Sequence, residues 1–381
     1  MRTEILGRSP DDGVDTDAHA GRLGHHRARD GSRGAPVAVD FDRPHVGLVV
    51  GKRGYGKSYT LGVLAEAAAR TRGVAPVVVD PMGVFGGLAA EARADAEPVP
   101  ATVVTAPRVG ADAIPPERWP ALVGADADDP VGALVWHAAS TASTLPEMRS
   151  VVADADAAPA TVRAAGNRLR RAAAWGVFDP DGLDARALAS GGATVLDCSG
   201  LDDAPANAVV AGVAAALYRG RVGAGSGAAD TPVDRLPWLL VDETHAFFSG
   251  VADAPLRRIL TRGRAPGVSL VVATQRPSAV PDVAVSQADL RVVHRLTAGP
   301  DLDALAAADP TYVDGDLSAR LPTAPGEALV IDDAAEAVRT VAVRERDTPH
   351  GGASPRASAV RLTPPGTESD AAPGPTATDR N

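Results

Sequence analysis

The chain has 381 residues, with 48 acidic against 38 basic side chains and a formal net charge of -10. Its 45% hydrophobic content supports a sizeable core, but only 3% is aromatic, so that core must be built mostly from Ala, Val and Leu. The single cysteine, Cys198, excludes an internal disulfide and any cysteine-based metal site, which fits a reducing, cytoplasmic setting.

No targeting segment is visible, and no apolar run approaches the ~18 residues that a membrane span needs, so no membrane partner is expected. Asp outnumbers Glu by 37 to 11, and only two basic residues, Lys52 and Lys57, are lysines. This bias resembles a GC-rich halophilic archaeal proteome. An acidic surface repels nucleic acid on average, but in a proteome of that kind acidity reflects adaptation to salt more than choice of partner, so net charge is not taken as evidence against DNA.

In chain order, residues 1 to about 36 mix Asp, Arg, His and Gly without apolar periodicity and read as a disordered tail. The first expected strand is the β-branched run His45–Val50. Directly after it comes Gly51-Lys-Arg-Gly-Tyr-Gly-Lys57-Ser58, with the G-x-x-x-x-G-K-[ST] spacing of a phosphate-binding loop. Residues 59–70 then place Leu61, Leu64, Ala65 and Ala68 at helical spacing. Strand, loop and helix together define a nucleotide site made of Gly51, Arg53, Gly54, Tyr55, Gly56, Lys57, Ser58 and Tyr59. In such a loop the backbone N–H groups of Gly54 to Ser58 surround phosphates at a helix N-terminus. Lys57 reaches the β- and γ-phosphates, and the Ser58 hydroxyl ligates Mg²⁺.

Further strand-like runs follow at 77–79, 102–104, 194–196, 239–241, 268–273 and 292–293, with helical patterns between most of them. That alternation predicts an α/β fold with a mostly parallel sheet. Residues from about 107 to 190 interrupt it and read as a small helical insertion. Within it, 161–175 leaves Arg163, Arg168, Arg170 and Arg171 on a polar side, open to readings as a solvated helix face or a nucleic-acid surface. Asp80, before Pro81, reads equally as a turn cap or as a group orienting water or a loop near the nucleotide.

The run Trp238–Val241 ends in Asp242 and Glu243. A buried parallel strand presents its C-terminal end to ligands, so Asp242 is expected to hold Mg²⁺ and Glu243 to act as the general base that polarises the attacking water. His245, two residues on, reads as packing. The next strand ends in Thr274-Gln275-Arg276-Pro277, where Gln275 either contacts the γ-phosphate or attacking water or caps the strand. Upstream, Leu256 to Gly267 forms an arginine-rich helix and turn. Arg264 first, and Arg262 second, are candidates for an arginine finger reaching a neighbouring subunit's site, with helix capping or pairing to surface Asp as the alternative. Gln287 has no derivable role. From about 349 a Pro/Thr/Ala tail reads as disordered, leaving 37–348 as the folded core.

The set GKRGYGKS, VVVDPMGVF, LLVDETHAFF, TRGRAPGVSLVVATQRPSAVP, VSQADLRVVHRLT and DLDALAA resembles the HerA/FtsK class of P-loop ATPases, and within it the archaeal HerA-like proteins. The matches run from about Val37 to His350. The resemblance implies a RecA-like core of the ASCE division, ATP and Mg²⁺ as cofactors, a homo-oligomer in the form of a hexameric ring, and double-stranded DNA in its channel. HerA proteins carry a β-barrel domain before that core, whereas here about 36 low-complexity residues precede the first expected strand, so partnership with a NurA-type nuclease is not expected. An N-K-x-D guanine motif is impossible because both lysines lie in the phosphate loop. The competing classes are a DNA-translocating ATPase and a same-fold ATPase that moves protein or acts as a switch.

Overall fold

In the computed structural model, residues 2–9, 19–28, 30–224, 233–307, 312 and 317–352 are described. The strands are β1 (Glu4–Leu6), β2 (Ala20–Arg27), β3 (Arg33–Asp40), β4 (Val46–Val50), β5 (Val74–Asp80), β6 (Ala101–Val104), β7 (Ala193–Asp197), β8 (Leu236–Val241), β9 (Ser269–Thr274), β10 (Leu290–Val293), β11 (Glu327–Asp332) and β12 (Ala337–Val343). They form one sheet in the order β1-β3-β2-β12-β11-β10-β4-β9-β8-β5-β7-β6.

From β10 to β6 every neighbouring pair is parallel. These strands are continuous apolar runs because helices cover both of their faces. Alternation at single-residue steps sends Leu48, Val50, Val77 and Val79 into one core, and Val49 and Val78 into the other. Helix α1 (Lys57–Arg70) packs in the second core through Leu61, Leu64 and Ala68.

The opposite face is covered by the longer helical part of the chain. Between β6 and β7 lie α2 (Trp119–Leu122), α3 (Pro130–Thr141), α4 (Leu145–Ala153), α5 (Pro159–Ala174) and α6 (Ala185–Leu188). Val135, Met148, Leu169 and Trp119 bury their side chains there, in the core shared with α7 (Asp203–Ala224) and α8 (Asp253–Arg262). Thr144 and Glu147 close a capping box at the start of α4, satisfying two otherwise orphaned backbone donors. The short helices α9 (Asp282–Ser286), α10 (Gly299–Ala306) and α11 (Leu317–Arg320) follow. Arg168 and Arg171 of α5 both donate to the Val123 carbonyl, each at 2.9 Å, so these two arginines brace the insertion.

The amino-terminal segment corrects the expectation of disorder. Within residues 1–36, of which 1, 10–18 and 29 lie outside the described residues, are β1, β2 and part of β3; β2 pairs antiparallel with β3 and with β12, and β1 pairs parallel with β3. Leu6, Leu23, Val37, Val39 and Phe41 pack in the core that holds α1. The strands escaped recognition because β2 carries one buried apolar side chain, Leu23, among Gly, Arg and His; partners distant in sequence supply its hydrogen bonds. They also make the complete sheet mixed.

At the other end, residues 344–351 leave β12 and cross the outer face of α1. Glu66 of α1 is fully buried beneath them and accepts hydrogen bonds from Arg344, Arg346, Asp347 and Thr348. Gly62 makes the close crossing possible, since a Cβ there would lie 2.8 Å from the Arg346 guanidinium. Pro349 and His350, expected in the tail, belong to this packed segment; the rest of that tail, from 353, lies outside the described residues. No described helix is long and apolar enough to cross a membrane.

Candidate nucleotide site

The loop from Gly51 to Gly56 leaves the C-terminal end of β4 and turns into α1. Gly54 and Gly56 have φ of 84° and 112°, left-handed values that side-chain-bearing residues rarely adopt, so glycine is required for this turn. No side chain caps the start of α1 and its first turn contains no carboxylate, so N–H groups and the positive end of the helix dipole are left for an anion.

Lys57 is buried, and its Nζ donates to Asp242 Oδ1 at 2.8 Å and Glu243 Oε1 at 3.1 Å. Burial opposes the ammonium charge, but the two carboxylates outweigh it and hold the Lys57 pKa above its ordinary value. Ser58 Oγ lies 3.3 Å from the same nitrogen. The strand order produces this convergence: β4 and β8 flank β9, all three run parallel, and their C-terminal ends share one edge.

Gln275 leaves the end of β9 at that edge, and its Nε2 lies 3.3 Å from both carboxylate oxygens of Glu243. Glu243 has φ 45° and ψ 41°, left-handed backbone at a non-glycine residue. Such strain persists only where surrounding contacts fix it. Here Thr244 supplies them: its hydroxyl meets the carbonyls of Val241 and Ala273 at 2.7 and 3.1 Å and accepts the Ala273 N–H at 3.2 Å.

Among the residues expected at the site, Lys57, Ser58, Asp242, Glu243 and Gln275 come together. Arg53 is exposed and lines a cleft of about 420 Å³ with Met82, Asn207, Glu243, His245 and Gln275. Tyr55 is held by its backbone, and the Lys52 ammonium sits 4.6 Å from its ring centre. Tyr59 turns toward the carboxy-terminal segment, where its hydroxyl accepts the Arg346 N–H at 2.6 Å and its ring meets His350 edge-on at 5.3 Å. Asp80 is a turn cap: its carboxylate accepts the N–H groups of Met82, Val84 and Phe85.

Arg262 and Arg264 stand apart from this group. They precede β9, whereas Gln275 follows it, and six residues of strand span about 20 Å. They lie at the other edge of the sheet, beside Tyr218, Arg221 and Pro266. Gln287 is exposed and ends α9, where its N–H bonds to the Val283 carbonyl.

One contributor went unrecognised in the sequence. His294, just past β10, is fully buried against the loop; a Cβ on Gly51 would lie 2.6 Å from its Cβ. Its Nδ1 donates to the Glu327 carbonyl at 2.9 Å, so Nε2 accepts the Thr60 hydroxyl at 2.9 Å. Burial lowers its pKa to about 4, with Lys57 adding to that effect, and keeps the ring neutral. The available signal was a histidine ending an apolar strand.

The donors present fit a magnesium nucleotide. Asp242 Oδ2 is buried and has no hydrogen-bond partner among the described residues, an acceptor left over on the carboxylate that meets Lys57, whose Nζ also lies 3.3 Å from Ser58 Oγ. Mg²⁺ takes one or two protein oxygens and completes its shell with phosphates and water, so no larger carboxylate cluster is required.

No protein-family model matches this chain, and no curated protein matches it in sequence. Among solved structures, VirB4 of Thermoanaerobacter pseudethanolicus superposes with a TM-score of 0.60 at 16% identity, covering 89% of this chain and 98% of that one. The bacterial conjugative coupling protein TrwBdeltaN70 gives 0.51 at 14% identity, covering 90% and 99%. This is a RecA-like P-loop NTPase fold. Both likenesses extend over most of this chain.

Proposed function

We propose that this protein is a Mg²⁺-dependent ATPase of the HerA/FtsK class that works as a ring-shaped motor on double-stranded DNA. The observation that carries the reading is the convergence of Lys57, Asp242, Glu243 and Gln275 on the N-terminus of α1. A phosphate-transfer kinase needs the first two; a carboxylate placed beside the metal ligand and held by a strand-end amide suits hydrolysis.

In this reading the loop N–H groups and Lys57 bind the β- and γ-phosphates, while Ser58 and Asp242 hold Mg²⁺. Bound there, the metal would supply positive charge to offset the negative charge of the phosphates. Glu243 accepts the proton of the attacking water, and Gln275 orients that water or the carboxylate. Arg264 is too far from its own chain's Lys57 to assist, so it serves a site on the next copy in the ring, with Arg262 as the alternative.

Phosphate contacts that follow the backbone without sequence preference suit the role on DNA, which the HerA/FtsK resemblance suggests. The bracing of the insertion by Arg168 and Arg171 favours a second reading, an ATPase of this fold that moves protein, because it withdraws two arginines from any DNA surface. ATP turnover measured with and without duplex DNA in molar salt separates them. Stimulation supports the DNA motor; an unchanged rate at every salt concentration where the protein is folded, with no retention on DNA, reassigns it to protein.

A further inference from the structure

The sequence alone suggests packing for His245, but its position bears on the carboxylate next to it. Its Nδ1 lies 3.5 Å from Glu243 Oε2 and 3.4 Å from Thr274 Oγ1. A single ring nitrogen faces both groups, and it carries either one hydrogen or one lone pair. With a hydrogen it can serve Glu243 Oε2 as a donor once the carboxylate turns toward it. Without one it accepts from the Thr274 hydroxyl, whose oxygen already receives the Arg276 N–H at 3.0 Å.

The backbone around Glu243 has little freedom. It is left-handed at Glu243 and pinned to β9 by Thr244 on the following residue. What remains adjustable is the direction of the Glu243 side chain, and three groups contact its carboxylate: Lys57, Gln275 and His245. A γ-phosphate competes with Glu243 for the Lys57 ammonium, because a dianionic phosphate is the stronger partner for a point charge. Gln275 then presents one amide nitrogen equally to both oxygens, at 3.3 Å each, which leaves the carboxylate's rotation weakly specified. His245 addresses Oε2 alone and breaks that symmetry.

We propose that His245 is a positioning residue for Glu243, aiming its carboxylate from a place beside Thr274 at the end of β9 once phosphate has engaged Lys57. The inference deepens the hydrolase reading and rests on Glu243 being the base. Gln275 and Glu243 also share a mounting: Thr244 ties the turn that bears the base to the strand that bears the amide, so displacement of either strand end alters both.

The test is steady-state ATP hydrolysis by the full chain. His245→Ala should lower kcat about tenfold or more while the KM for ATP stays within about twofold, the signature of a misaimed group and not of lost binding. His245→Asn, which keeps a donor near the place of Nδ1, should recover most of the rate. In a Glu243→Gln background the alanine substitution should cost nothing further, because its route to the chemistry is gone. A wild-type kcat in His245→Ala, a rise in KM alone, no recovery with asparagine, or an undiminished effect in the Glu243→Gln background overturns the proposal. Full activity in Glu243→Gln alone would instead overturn the base assignment.

Discussion

The Lys57 ammonium donates to Asp242 at 2.8 Å and to Glu243 at 3.1 Å, joining the start of α1 to the end of β8 across 185 residues of sequence. One buried cation thus holds the two carboxylates to which the proposed reading gives separate roles, metal ligand and base. Asp242→Ala should leave the Lys57 charge with a single partner and strip away a metal oxygen, so we expect ATP turnover to fall by about 10²-fold or more. Titration with Mg²⁺ should fail to restore it; recovery at high Mg²⁺ would confine Asp242 to affinity for the metal.

His45 gives a second, independent prediction. It is buried between Asp289 Oδ2 at 2.8 Å and Asp40 Oδ2 at 3.9 Å, with Arg8 and Arg43 on Asp40. Burial opposes the imidazolium, yet Asp289 and Asp40 outweigh it and raise the pKa from 6.5 to about 9. The folded chain therefore binds this proton more tightly than the unfolded chain. The stabilisation is complete below about pH 6.5 and is lost as pH rises through about 9, a change on the order of 3 kcal/mol. Thermal midpoints across pH 6 to 10 should fall on the alkaline side, and His45→Gln should flatten that limb. An unchanged slope in the variant would show that other groups carry it.

Gly51 is predicted to tolerate no side chain. A methyl group there would press against His294, which is fixed by Thr60 on one side and Glu327 on the other. Gly51→Ala should destabilise by roughly 1–3 kcal/mol and raise the KM for ATP about tenfold, because the loop must shift to relieve the overlap. Normal nucleotide binding in a folded Gly51→Ala protein would contradict the role given to His294.

The anchoring of 344–348 on Glu66 predicts a large effect far from the chemistry. Glu66→Ala leaves Arg344 and the buried Arg346 without their shared carboxylate, a loss of about 3–5 kcal/mol by analogy with broken buried ion pairs. Chemical denaturation should show it, with Glu66→Gln in between because the amide still accepts from Thr348. Near-wild-type stability in Glu66→Ala would mean that the segment is held elsewhere.

What could be read from the chain was local. The phosphate loop, its strand and its helix occupy consecutive residues, and the apolar run into Asp242–Glu243 states its own depth and direction. The three strands before Phe41 were hidden because β2 contributes Leu23 and, apart from Ala20, only Gly, Arg and His, so pairing with β3 and β12, not periodicity, makes it a strand. The Glu66 cluster was hidden for a related reason. A glutamate at a helical position looks solvated until Arg344, Arg346 and Thr348, some 280 residues later, fold over it. His245 sat inside a recognised motif, but only three-dimensional placement brings its nitrogen to both Glu243 and Thr274.

The central claim, that Glu243 is the base of an ATP hydrolase whose phosphates are held by Lys57, is tested most directly by comparing ATP binding and hydrolysis in Glu243→Gln and Lys57→Ala. The account predicts that Glu243→Gln binds ATP but hydrolyses it at least about 10²-fold more slowly, and that Lys57→Ala loses binding or turnover altogether. Hydrolysis by Glu243→Gln at the wild-type rate would contradict it.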